Sequence, residues 1–210
     1  MLYPKGAIPG TDAANIADGY LNWKAPGSAF TLIPVNSPTN GNGYWQGDGS
    51  SSRLRTQYTP SVNGVKLIQD SASALVWSLT EGNSNSVDVG NSSVTPNIWM
   101  VLRSAGNTTQ FKINDNTVSS VGSSSAVGMF MAQRRGASDK RAFVNGSQVG
   151  GVSAIASTGL PTSEQWVLGG NSVSFSARKF CFAAWGASQA GREAAIYATW
   201  QACFTAAGTI

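Results

Sequence analysis

The sequence predicts an all-β fold, a two-sheet antiparallel jelly-roll sandwich closed by one C-terminal α-helix. Three observations lead there. Short apolar or alternating runs recur at spacings of about 8–12 residues, with Gly, Asn, Ser and Pro between them, as in sandwiches and barrels rather than βαβ units. The chain has 210 residues, a length that a single large β domain reaches. Helical periodicity is confined to the last stretch, SQAGREAAIYATWQACFTAAG. Residues 1–20, which carry Pro4, Gly6, Pro9, Gly10 and Gly19 and no periodicity, read as an N-terminal arm. The domain proper is read as 21–210.

In chain order, TLIPVNSPT (31–39) is a strand broken by prolines, and therefore an edge. NGNGYWQGDGSSS (40–52) reads as a loop, because Asn-Gly dipeptides mark turns. In SRLRTQYT (52–59), Leu54, Thr56 and Tyr58 alternate with Arg53, Arg55 and Gln57, which is the period of a half-buried strand. VKLIQD (65–70) and ALVWSLTE (74–81) are strands, the second apolar enough to be central. SVDVG (86–90) is short. NIWMVLRSA (97–105) and TQFKIND (109–115) form a hairpin, as do VGMFMAQRR (127–135) and KRAFVNG (140–146), whose Asn145-Gly146 makes a tight turn. QVGGVSAI continues beyond it, and EQWVLGGN (164–171) and RKFCFAAWG (178–186) are late, buried strands. In the helix, Ser188 reads as the N-cap and Gly208 as the stop, while Ile196, Tyr197, Trp200, Cys203, Phe204 and Ala207 make one apolar stripe. That stripe must lie on the outside of a sheet or across an open end of the sandwich.

Charged residues are 11% of the chain, well under the usual share of about 25%. Net charge is +4, with the basic residues scattered in pairs such as Arg134-Arg135 and Lys140-Arg141. A nucleic-acid binder would show a denser basic stripe with interleaved aromatics. Cys181 and Cys203 are two buried thiols, or a single disulfide if the chain matures under oxidation. Residues 1–20 lack the apolar core of a signal peptide, and no run is long enough to span a bilayer. The expectation is a protein made in a cytoplasm without export. Its neutral, polar, turn-rich surface nevertheless suits life outside a cell or on a particle.

The chemistry of most enzyme classes is missing. There is no histidine, which removes Ser-His-Asp and Cys-His pairs and every His-based metal site. No phosphate-binding loop occurs. Among the ten acids no pair sits at i and i+2 on one strand face, although distant acids such as Glu81 and Asp88 could still converge on a glycosidic bond. NSNSVD (83–88) and NDN (114–116) offer a weak set of calcium-ligand types. The expectation is therefore no catalytic residues, no metal, no cofactor and no enzyme. The aromatics remain. Of seven tryptophans, Trp77, Trp99, Trp166, Trp185 and Trp200 lie in apolar patterns and read as core. Trp23, Tyr44 and Trp45 fall in Gly/Asn/Pro-rich segments. There a ring either presents a flat face to a sugar or folds down over the sandwich edge. Arg53 and Arg55 could add donors to such a surface. These five are the candidate ligand-binding residues.

FMAQRRGASDKRAFVNGSQVG resembles a hairpin with an R-x-G-A-S…NG pattern found in concanavalin A-like (laminin-G-like) jelly-roll domains encoded by bacteriophages and prophages. GYWQGDGSSSRLRTQYTPS, INDNTVSS, WVLGGN and the closing FAAWG with AAIYATWQACFTAAG are similar to further segments of that family, in the same order, over roughly residues 20–210. The resemblance implies a lectin-like sandwich in a virion: a capsid decoration, neck, or tail or fibre surface protein. It would touch neighbouring virion proteins, copies of itself and, in some cases, cell-surface glycans. The matched motifs are turns, strand cores and a sealing helix, so no binding residue carries over. The glutamate-rich strand of the superfamily's enzyme branch is absent. The readings that follow are a virion structural protein first, a carbohydrate-binding receptor module second, and a polysaccharide depolymerase third.

Overall fold

A computed structural model describes residues 32–210. The expected arm over 1–20, the domain start at 21 and Trp23 lie outside the described residues. Strands are numbered in chain order. The first sheet is antiparallel and seven-stranded. In spatial order it comprises β12 (Ser147–Ser153), β11 (Asp139–Val144), β10 (Gly128–Gly136), β5 (Ala72–Ser78), β16 (Lys179–Gly186), β3 (Tyr44–Gln46) and β2 (Thr39–Gly41). The second is likewise seven-stranded: β1 (Ile33–Val35), β4 (Arg53–Arg55), β13 (Trp166–Val167), β6 (Val89–Asn91), β7 (Asn97–Val101), β8 (Thr108–Asp115) and β9 (Ser119–Gly122). A small hairpin, β14 (Gly169–Asn171) with β15 (Ser174–Phe175), stands apart from both. Two helices complete the described chain, α1 (Pro60–Asn63) and α2 (Glu193–Ala206). The two-sheet sandwich and its late helix are as the sequence predicts.

Strand alternation builds the layers. In β5, Ala72, Ala74 and Val76 enter the core between the sheets, while Leu75 and Trp77 turn to the other side. In β10, Phe130 and Ala132 face inward and Met129 and Met131 outward. β16 carries a register shift between Phe180 and Phe182, so Cys181 and Phe182 both join the outer cluster while Phe180 and Ala183 stay in the core. The second sheet contributes Leu54, Val89, Ile98, Met100, Phe111 and Val167 from its inner face.

Helix α2 covers the outer face of the first sheet. Phe204 has no exposed surface and meets Trp77 edge-on at 5.0 Å; the Tyr197 ring stacks on Trp77 at 5.5 Å, and Trp200 lies 4.3 Å from Phe182. Gly146, at φ +79°, lets the β11–β12 turn touch the helix: a Cβ there would lie 2.8 Å from Ala194 Cα. The helix starts later than the sequence suggests. Arg192 is its N-cap, and the Ser188 hydroxyl instead donates to the Gln133 amide oxygen, Oε1, at 3.1 Å. Cys203 is exposed rather than part of the stripe, and Cys181 is buried; both are free thiols, so no disulfide ties helix to sheet. Burial pushes the Cys181 thiol well above its ordinary pKa.

Two further expectations change. Residues 65–70 form no strand, only an isolated bridge between Ile68 and Ser71. The segment around 40–46 is not loop but the hairpin β2–β3, with Gly41 opposite Tyr44 and Gly43 at φ +80° in its turn. Asn-Gly is a hairpin turn signal as well as a loop signal, and here the hairpin prevails.

Two buried ionic groups join the sheets. Asp88, just before β6, accepts from Leu102 N at 2.8 Å, Ser176 Oγ at 2.6 Å and Arg178 Nε at 3.1 Å. Asp115 on β8 receives Arg134 at 2.6 Å and Lys140 at 2.8 Å on a single oxygen, all three side chains fully buried. These are the carboxylates of the two segments read as possible calcium loops. Both are already neutralised by cationic side chains.

Candidate functional site

The hairpin register decides the fate of the candidate aromatics. Trp45 has no exposed surface and sits in the core. It cannot present a ring to a ligand, and its candidacy is corrected. Alternation then turns Tyr44 to the outer face of the first sheet. Its ring folds over Gly41, where a Cβ would lie 2.2 Å from the ring, and Lys179 Nζ sits 4.5 Å from the ring centre. Arg53 and Arg55 flank the inward Leu54 and so lie on the outer face of the second sheet. The structure therefore places Tyr44 and the arginine pair on opposite outer faces of the sandwich.

Around the arginines a surface assembles that the sequence scatters. Ile33 pairs with Arg55, Arg55 with Trp166, Trp166 with Gly90, Gly90 with Trp99 and Trp99 with Lys112. These residues form one row across the second sheet's outer face. Gly90 is at φ +114°, and a Cβ there would lie 2.2 Å from the Ile98 carbonyl oxygen, so the row has a blank between its two indoles. Two strand spacings separate those indoles, about 10 Å. The β14–β15 hairpin folds back toward this gap. Ser92 N donates to the Gly170 carbonyl at 2.7 Å, and a Cβ on Gly170 would collide with Val87. Trp99 is left 8% exposed in a small cluster with Val87 and Val101. Trp166 stays more open.

The polar partners are specific. Arg55 donates from Nε and Nη2 to the same Glu164 oxygen, at 2.9 and 2.8 Å. The other Glu164 oxygen accepts Gln57 N at 2.6 Å. The Arg53 guanidinium carbon lies 4.2 Å from the centre of the Trp166 ring and 5.5 Å from that of Phe175 on β15. Trp166 Nε1 and Arg53 Nε are both buried without a hydrogen-bond partner. Chemically this is a half-buried indole with one guanidinium over its ring and an arginine–glutamate pair beside it, on the outer face of the second sheet.

The sequence reads Trp166 as core because it lies in an apolar strand pattern. The signal that finds it is Glu164: an acid two residues earlier on a strand shares the face of residue 166, while Gln165 and Val167 take the buried one. The two acids that a depolymerase reading would use fare differently. Asp88 has no exposed surface. Glu81 is exposed and occupied by Ser125 Oγ and Ala126 N.

No known protein family and no curated protein matches the chain. Solved structures share its fold. Trypanosoma rangeli sialidase aligns at 8% identity with a TM-score of 0.57, over 78% of this chain and 28% of the sialidase. The same sialidase in complex with 2,3-difluorosialic acid aligns at 9% identity and 0.54, over 96% of this chain and 36% of that one. A mutant of HCR/D aligns at 7% identity and 0.54, over 86% and 51%. The chain thus spans about a third of the length of these sialidases. The likeness is one of fold, a two-sheet antiparallel β-sandwich. The expectation that the chain is not an enzyme is corrected by this finding, since the structures that share its architecture include sialidases.

Proposed function

We propose that the chain is a carbohydrate-binding β-sandwich domain whose ligand lies across the outer face of the second sheet at Trp166. The observation that carries this reading is the half-buried Trp166 indole on that face, with the Arg53 guanidinium over its ring and the Arg55–Glu164 pair beside it. A sugar offers an apolar C–H face to an indole and hydroxyls to the rim, and a few convergent polar groups fix its orientation. Support comes also from the fold, which this chain shares with sialidases, one of them holding a difluorinated sialic acid. Placement on a rigid sheet rather than a loop suits a preformed site. The test is a glycan array followed by titration, with Trp166→Ala as the variant. A glycan that binds the native chain and is lost in Trp166→Ala, at unchanged melting temperature, supports the reading. Array-wide silence at high protein concentration ends it.

A second reading comes from the sequence motifs, whose order along roughly 20–210 favours a virion surface component that contacts other virion proteins and copies of itself. The low charge of 11% and the turn-rich composition agree with a particle surface. The two readings are compatible, since a glycan-binding sandwich on a virion would do both. Labelling this protein on intact particles tests the placement, and absence of label from every particle structure removes it.

A further inference from the structure

Resting on the glycan-binding reading, we infer that the saccharide taken at Trp166 is anionic and that Arg53 is the fork that receives its carboxylate or sulfate group. The argument begins with the count of charges. On this part of the face Arg53, Arg55 and Glu164 leave one positive charge in excess. Arg55 is committed, since its Nε and Nη2 both meet Glu164. Among the described residues Arg53 has no carboxylate partner; its contacts are the rings of Trp166 and Phe175. The β14–β15 hairpin runs beside its stem: a Cβ on Gly169 would lie 3.8 Å from Arg53 Cβ, an ordinary van der Waals contact.

Such a guanidinium is prepared for an anion. The rings take water away from its flanks, and Nε is buried without a partner. The remaining polar demand falls on the terminal Nη donors. Those are the donors that a planar carboxylate or a sulfate engages in pairs, whereas a neutral hydroxyl makes only a weaker single bond. The side chain is also ordered before binding, so less rotamer freedom is lost when the ligand arrives. A partly desolvated cation gains more from an anion than a hydrated one does, because the local dielectric is lower. The adjacent indole would take the sugar ring that bears the charged group.

The experiment is calorimetric titration of the whole chain with three oligosaccharides: neutral chitin-derived, hyaluronan-derived with carboxylates only, and chondroitin-sulfate-derived with both groups. The expected result is that at least one acidic oligosaccharide binds about tenfold or more tightly than the neutral one, as a charge-assisted contact implies. Free inorganic sulfate should weaken the acidic ligand and leave the neutral one unchanged. Arg53→Met should abolish the preference, and Arg53→Lys, which keeps the charge but not the fork, should restore only part of it. The hyaluronan and chondroitin sulfate arms separate carboxylate from sulfate. If the neutral oligosaccharide binds as tightly as both acidic ones, the anion inference falls while the glycan reading stands. The same holds if Arg53→Met keeps the preference. If nothing binds, both fall. The sulfate competition needs no variant, so a poorly folding Arg53→Met leaves the inference open to refutation.

Discussion

The buried trio of Arg134, Lys140 and Asp115 sets two cations against one carboxylate, and its two cations should prove unequal. Arg134 uses its whole fork: Nε donates to the Ile113 carbonyl at 2.7 Å, Nη1 to the carbonyls of Ala137 at 2.9 Å and Ile155 at 3.0 Å, and Nη2 to Asp115 at 2.6 Å. It therefore holds β8, the turn after β10 and the 155 segment together. Lys140 Nζ donates to Asp115 and the Thr117 carbonyl, each at 2.8 Å, and lies 5.5 Å from the centre of the Phe111 ring. Removing Arg134 strands several buried carbonyls, and removal of one member of such a group costs about 3–5 kcal/mol. Removing Lys140 strands one carbonyl, leaves Asp115 paired with Arg134 and takes away a buried charge that lacks its own counter-ion. Arg134→Met should thus lose about 3–5 kcal/mol in urea unfolding, while Lys140→Met should change stability by about 1 kcal/mol or less, in either direction. The pH dependence provides a second check. Burial holds the Lys140 ammonium below its ordinary pKa, so the unfolded chain keeps that proton at a pH where the folded chain has begun to release it. Lys140 therefore contributes rising stability as pH climbs from its lowered pKa toward the ordinary lysine range, and Lys140→Met should lack that rise. Equal losses for the two variants at neutral pH, or an unchanged alkaline limb in Lys140→Met, would refute this account.

Other consequences are simpler to measure. Phe204→Ala opens a cavity beneath α2 against Trp77 and Trp200 and should cost about 3–5 kcal/mol in thermal or urea unfolding. A thiol reagent should label Cys203 at once in the native protein and Cys181 only on unfolding, counted by mass spectrometry. Asp48 accepts three backbone N–H groups, from Ser50, Ser51 and Ser52, which hold its carboxyl far below the ordinary range. Its contribution to stability is present above the unfolded carboxylate pKa and fades as pH falls below it, so Asp48→Asn should narrow the difference in melting temperature between neutral and acid pH.

The sheets were readable in the sequence because they rest on local signals. The period of two in 52–59, the apolar run at 74–81 and the Asn145-Gly146 turn each state their structure within a few residues. What was misread had two local solutions. An Asn-Gly in a polar context served a hairpin at 42–43 where a loop was expected, and that one choice carried Trp45 from surface to core. Ser188 has the chemistry of a cap, but the Gln133 amide claimed its hydroxyl, and helix α2 starts five residues later at Glu193. The sequence puts Cys203 on the apolar stripe, and the structure leaves it exposed. The sheet beneath is broad enough for Tyr197, Trp200 and Phe204 and does not reach that far round the helix.

The candidate site was hidden for a different reason. Its row draws on positions 33, 55, 166, 90, 99 and 112, from six strands whose spatial order differs from their chain order. Consecutive strands supply only Gly90, Trp99 and Lys112, and the other members come from strands distant in the chain. What the sequence does hold is parity: Arg53 and Arg55 outward because Leu54 is inward, Trp166 outward because Val167 is inward. Parity tells which face a residue occupies, and only the pairing of β13 between β4 and β6 tells which residues share a row. A one-residue slip of the two-residue strand β13 would bury Trp166 and expose Val167, dissolving the site without changing a single local propensity. The site is thus a property of register. That register is held at Glu164, whose side chain binds Arg55 and Gln57 N and whose carbonyl accepts Asn91 Nδ2 at 2.6 Å. It follows that the same carboxylate which borders the proposed ligand surface also locks the strand that presents it. Loss of binding in a Glu164 variant would for that reason say less about ligand contact than the same loss in Trp166→Ala, which leaves the register contacts in place.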